Sequence, residues 1–265
     1  MGRIVHRMLL PAASAILAGC AATPNPLHGG RWIDLTHAFS SETLYWPTSE
    51  RFSLETVFDG TTDKGYHYSA NQFCAAEHGG THVDAPIHFA AGGAGIDEVG
   101  LDHLIGQAIV VDVSERASLD RDYRVGIADF TGWEQRNGRI PAGALVLLRT
   151  GYDRYWPDAG RYLGTAERGQ AAVAKLHFPG LDAQAAQWLA DERRIHAVGL
   201  DTASIDYGQS TRFESHRVLA SRRIPIFENV SGLAALPPTG AWVIALPMKI
   251  KGGSGAPLRL IAWVP

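Results

Sequence analysis

With only Cys20 and Cys74 in 265 residues, the chain cannot be a disulfide-stapled scaffold. Basic runs are also missing: the net charge is −3 and the isoelectric point about 6.4, which argues against nucleic acid as a partner. No apolar stretch reaches the ~20 residues needed to cross a bilayer; Met8–Ala18 falls well short. Internal repeats and low-complexity tracts are absent, which removes solenoid architectures. The glycine-rich run Gly252-Gly253-Ser254-Gly255 lacks the Lys-Ser/Thr order of a phosphate loop. What is present is 46% hydrophobic and 19% charged residues, the balance of a globular chain long enough for one large core or two small ones.

The N-terminus reads apart from the rest. Arg3, His6 and Arg7 precede Met8–Ala18, a pattern of a secretory signal rather than a span. Leu17-Ala18-Gly19-Cys20 resembles a bacterial lipobox, in which cleavage exposes Cys20 for lipidation. Ala21 after the cysteine suits sorting to the outer membrane. The expected organisation is a lipoprotein signal over residues 1–20, a Pro- and Gly-containing tether over 21–31, and one folded domain over 32–265. The expected address is the periplasmic face of the outer membrane, with lipid as the sole membrane contact. Lipidation of Cys20 leaves Cys74 unpaired, and it is expected as a buried thiol near the functional site, without a nucleophilic role.

The most informative stretch is His78-Gly79-Gly80-Thr81-His82-Val83-Asp84-Ala85-Pro86-Ile87-His88-Phe89. Its even positions carry His78, His82, Asp84 and His88, and residues two apart share one face of an extended chain. Gly79, Gly80 and Pro86 disfavour a helix interior, so this is not the helical zinc motif with two His four apart. An extended reading puts three imidazoles and a carboxylate on one side, a ligand set for Zn²⁺, Mn²⁺ or Fe²⁺. His78, His82 and Asp84 supply three ligands and leave a position for water. His88 lies further along the same face and is the candidate general acid/base.

The same run resembles the signature of the metal-dependent cyclase family, which includes bacterial kynurenine formamidases and isatin hydrolases. The resemblance spans roughly Trp32 to Pro265 and implies a mixed α/β sheet domain of swivelling β/β/α type that forms homodimers or larger oligomers. It also implies two further ligands, a His followed by a Glu twelve residues on; His216 and Glu228 have that order and spacing. Together with Asp84 they would hold a second cation, so one or two Zn²⁺ or Mn²⁺ ions are implied. Trp46, before Pro47, matches a position that lines the substrate pocket in the formamidases.

Strands are expected near Trp32–His37, Tyr66–Cys74, Ile105–Val113, Ala144–Arg149, Ala197–Asp201, Ile224–Phe227 and, last, Ala241–Leu246. Helices are expected over Gly126–Trp133, over Asp182–Arg193 with Asp182 as N-cap, and over Phe213–Arg222. Asp201 and Asp206 read as loop carboxylates or as acceptors that orient a ligand. Asn229-Val230-Ser231 fits a glycosylation sequon. The functional expectation is hydrolysis of a small amide C–N bond, most like an arylformamidase releasing formate and an arylamine. A cyclic-amide hydrolase of the isatin type and a non-catalytic metal-binding lipoprotein are the alternatives. Export sits poorly with formylkynurenine as the physiological substrate, and the segment after Leu246 departs from compact formamidases.

Overall fold

The computed structural model describes Gly2 and residues 29–265; the signal and lipidation reading at Cys20 and most of the tether lie outside the described residues. The strands are β1 Arg31–Asp34, β2 Ser53–Thr61, β3 His67–Cys74, β4 His82–Asp84, β5 Ile105–Asp112, β6 Arg124–Val125, β7 Leu145–Arg149, β8 Gly180–Leu181, β9 Ala197–Leu200, β10 Ile226–Glu228, β11 Ala241–Pro247 and β12 Gly255–Val264. The first strand takes in Arg31, one residue of the expected tether.

The main sheet runs β1-β12-β11-β5-β7-β9-β10-β4, and β4 also pairs with β12, so the sheet curls back on itself into a barrel. Its centre, β5-β7-β9-β10, is parallel, whereas β11, β12 and β4 are antiparallel to their neighbours. The parallel strands are near-continuous apolar runs because both faces are buried. Along β7, Leu145 and Leu147 point into the barrel with Val83, Phe227 and Leu260, while Val146 and Leu148 point outward. The outward set is covered by Phe130 and Trp133 of the helix Ile127–Asn137, by Ala185 of the helix Ala183–Trp188, and by Leu219 of the helix Glu214–Ser221. The Asp182 carboxylate caps its helix by accepting from Gln184 N at 2.9 Å. That helix ends in a wide π turn at Leu189–Arg193.

Ala241–Leu246 is not the last strand, as the sequence suggests. β12 follows it and spans three partners, pairing with β1, β11 and β4 along its ten residues. β2 and β3 form a separate antiparallel arm on which Leu54, Val57, Phe58, Tyr68 and Phe73 are exposed. Cys74 ends that arm and is exposed, which corrects the expectation of a buried thiol. Among the described residues no core layer covers the arm, so a side chain at its end meets solvent.

Candidate metal centre and active site

The His-rich stretch is not extended throughout. Gly80 has φ +59, a left-handed kink that sets the chain into β4. Only residues 82–84 are strand; Pro86–His88 form a 3₁₀ turn. The alternation therefore holds through His82 and Asp84, with Val83 pointing the other way into the core. His88 is returned to the site by the turn, not by parity: its ring stacks on His78 with centroids 3.8 Å apart.

Register brings in the distant residues. β10 pairs antiparallel with β4 so that Glu228 lies directly opposite His82, and opposed residues place their side chains on one face. Glu228 Oε2 is 3.5 Å from His82 Nε2, and its Oε1 is 3.2 Å from His216 Nε2. His216 projects from the helix Glu214–Ser221 and its Nε2 lies 3.1 Å from Asp84 Oδ2. Asp84 Oδ1 faces His78 Nδ1 at 2.7 Å and His82 Nε2 at 3.2 Å. Asp84 is thus shared by two triads, His78–His82–Asp84 and Asp84–His216–Glu228, each with ligand atoms within 4.8 Å of one another. All five ligand candidates meet, and only His78 is more than marginally exposed.

The cluster suits a divalent cation. His82 Nδ1 donates to the Gly80 carbonyl at 2.9 Å; a carbonyl only accepts, so Nδ1 carries a proton and Nε2 is the nitrogen left to face a cation. That Nε2 is fully buried, has no hydrogen-bond partner among the described residues, and is aimed between two carboxylates. A buried nitrogen between two acid groups needs a proton or a cation to join them, and a divalent cation satisfies all three at once.

Above the cluster lies a cavity of about 250 Å³ whose floor is polar and whose walls include Trp46, Phe89, Leu163 and Phe213. Trp46 meets Phe213 at 6.2 Å and packs edge-on against Phe178 at 6.4 Å. Phe89 lies against the His216 ring at 4.4 Å. Tyr152, Tyr155, Trp156 and Tyr162 pack together behind this wall as core.

The family described as "Putative cyclase" matches residues 33–207. The chain belongs to the cyclase family. It is 30% identical over 209 residues to an isatin hydrolase of Roseibium aggregatum, covering 76% of this chain and 77% of that one. It is 28% identical to a kynurenine formamidase of Salinibacter ruber, covering 86% and 95%. Among solved structures, isatin hydrolase A from Ralstonia solanacearum superposes with a TM-score of 0.79 at 33% identity, over 89% of this chain and 92% of that one. An isatin hydrolase bound to the product analogue thioisatinate gives a TM-score of 0.80 at 27% identity, over 89% and 93%.

Electrostatics in this cyclase-family site follow from burial and crowding. In the metal-free protein, burial opposes ionisation of Asp84, yet the His78 charge and hydrogen bonds from His216 and His78 hold it well below the usual carboxylate range. Glu228 goes the other way: burial and the Asp84 charge push it up. His216 is raised well above its ordinary value, because hydrogen bonds to Asp206, Asp84 and Glu228 outweigh its burial. His88 is lowered to about 4, chiefly by burial, so its imidazole is neutral at neutral pH.

Several residues outside the ligand set support the cluster. Asp206 Oδ2 accepts from His216 Nδ1 at 2.6 Å, so of the two loop aspartates it is the one that orients a ligand candidate. Asp201 instead holds Thr150 N and Gly151 N, both at 2.7 Å. Ser254 Oγ lies 2.9 Å from His78 Nε2 and donates to Glu77 Oε2 at 2.6 Å, which gives the glycine-rich segment after Leu246 a place beside the cluster. Asn229 is buried beside Glu228 and lines the cavity, so its sequon is not available on the surface.

Proposed function

We propose that this cyclase-family protein hydrolyses the C–N bond of a small aryl amide at a divalent cation held by His78, His82 and Asp84, with His216 and Glu228 completing a second position beside Asp84. The observation that carries the reading is the meeting of these five groups under an aromatic-walled cavity, with a neutral His88 stacked at its edge. Zn²⁺ and Mn²⁺ both suit imidazole–carboxylate ligation. When bound, such a cation polarises the carbonyl and acidifies water. The rest is done by the chain. Trp46, Phe89 and Phe213 take the aryl ring and exclude water around it. His88, neutral at pH 7, accepts a proton from water as the water oxygen attacks the carbonyl carbon, and returns it to the nitrogen as the C–N bond breaks. Asp206 keeps His216 oriented throughout.

The family holds two chemistries, opening of a cyclic aryl amide and deformylation of an aryl formamide. The likeness to isatin hydrolases at TM-scores of 0.79 and 0.80 favours the cyclic amide; the formamide, with formate and an arylamine as products, is the second reading. A panel of isatin, formylkynurenine and simple formanilides, run with Zn²⁺- and Mn²⁺-loaded protein, tests both. Turnover of isatin above that of the open-chain formamides is expected. Metal binding without turnover of any of these amides would leave a metal-binding protein without this chemistry.

Two further parts of the reading concern address and assembly. Cys20 is proposed as a lipid anchor that places the folded domain at the periplasmic face of the outer membrane. A homodimer or larger assembly is supported by the β2–β3 arm, a two-stranded ribbon with exposed apolar side chains, since such ribbons are marginal alone.

A further inference from the structure

Asn229 follows Glu228 at the end of β10 and takes a left-handed conformation, φ +53, while almost fully buried. Its amide is used on both sides. Nδ2 donates to the Gly80 carbonyl at 2.7 Å, the same oxygen that accepts from His82 Nδ1 at 2.9 Å. Oδ1 accepts from the hydroxyl of Tyr162 at 2.9 Å, and Tyr162 is completely buried. The backbone is tied down as well: Asn229 O accepts from Thr81 Oγ1 at 2.7 Å, and Asn229 N donates to Thr202 O at 2.9 Å. The amide orientation is determined, because a carbonyl can only accept and so must face the NH₂ group. Both lone pairs of the Gly80 oxygen are thereby engaged.

We infer that Asn229 and Tyr162 are positioning residues of the metal centre: they lock the Gly80 carbonyl, which in turn holds His82 with Nδ1 protonated and Nε2 facing the cation. Three physical points support this. The carbonyl sits on the left-handed Gly80, where the backbone has little intrinsic preference for one orientation and needs an external anchor. The nitrogens of His216 and His78 that face away from the cluster meet side chains, Asp206 and Ser254, whereas His82 Nδ1 donates to a backbone carbonyl, so rigidity has to come from what grips that backbone. Tyr162 reaches the amide from the aromatic core behind the cavity wall, a rigid platform that a surface partner would not provide.

The inference rests on His82 being a metal ligand, and the experiment separates the two ideas. Zn²⁺ affinity is measured by chelator competition for the wild type, Asn229→Gly and Tyr162→Phe. Glycine tolerates φ +53, so Asn229→Gly removes the amide with little backbone penalty. Loss of a group that orients a metal-bound imidazole typically weakens metal affinity about 10–100-fold, and that is the expected range for Asn229→Gly, with a smaller loss for Tyr162→Phe. A long-range ¹H–¹⁵N spectrum of the Zn²⁺-loaded protein reports the His82 Nδ1 proton, which should exchange with solvent faster in both variants. A purely structural role would lower the melting temperature of the metal-free protein and leave affinity and proton exchange alone. If Asn229→Gly does not fold, Tyr162→Phe decides alone. Affinities within about two-fold of wild type overturn the inference; a wild type that binds no Zn²⁺ overturns the ligand assignment beneath it.

Discussion

Replacing Gly80 by alanine should cost stability in two separable ways. The position has φ +59, and an L-residue there pays roughly 1–2 kcal/mol for the left-handed backbone. A Cβ would also lie 2.6 Å from Phe39 Cε1 and 2.7 Å from Phe39 Cζ, closer than real Cβ contacts come, and 3.0 Å from Thr43 Cγ2, which is tight. Overpacking of that kind adds about 1–3 kcal/mol. The total for Gly80→Ala is therefore about 2–5 kcal/mol, read by urea denaturation of the metal-free protein. Gly92 provides the calibration: it has φ +72 and nothing within 4 Å of its would-be Cβ, so Gly92→Ala should pay the backbone part alone. Adding Phe39→Ala to Gly80→Ala should relieve the steric part and leave the backbone part, which a double-mutant cycle isolates. Because the Gly80 carbonyl holds His82 and Asn229, Zn²⁺ affinity should fall together with stability. A Gly80→Ala protein no less stable than Gly92→Ala, with metal affinity intact, would refute this account of the kink.

Other expectations are independent of that one. His88→Ala should keep its metal, measured by elemental analysis, while kcat on the best amide falls ~10²–10⁴-fold; loss of metal would make His88 a ligand instead. His37 is held down to about 4 by burial, with the Asp153 charge opposing, and stacks on Trp156 at 4.1 Å. Its folded pKa lies below the unfolded value, so its contribution is complete above pH 6.5 and is lost as pH falls towards 4. His37→Phe should accordingly lose about 2 kcal/mol less than wild type over that interval in denaturation titrations. Trp46→Ala should raise KM for an aryl substrate about ten-fold or more, as expected for removing a cavity wall, and an unchanged KM would take the indole out of the binding site. Cys20→Ser should move the protein from the membrane pellet to the soluble periplasmic fraction; an unchanged pellet would dismiss the lipid anchor.

Much of the site was written locally in the chain. His82 and Asp84 share a face because alternation is a property of any short strand, whatever it pairs with, and Gly79, Gly80 and Pro86 keep that stretch from becoming helix. The buried parallel strands were legible for a similar reason: burial on both faces leaves an unbroken apolar run. His216 and Glu228 were reachable through the family pattern, not through any local rule. Tertiary structure alone decided the rest. The opposition of Glu228 and His82 is a matter of register between strands far apart in sequence, and closure of the barrel through β12 depends on one strand having three partners. Parity does not account for the place of His88 beside His78, since a 3₁₀ turn interrupts the strand before it. The exposure of Cys74 depends on what covers the arm, which no alternation pattern records. Ser254, Glu77, Tyr162 and Asn229 were invisible as supports: a hydrogen bond between distant residues is fixed by geometry in three dimensions, and their residue types are equally at home in any loop or core.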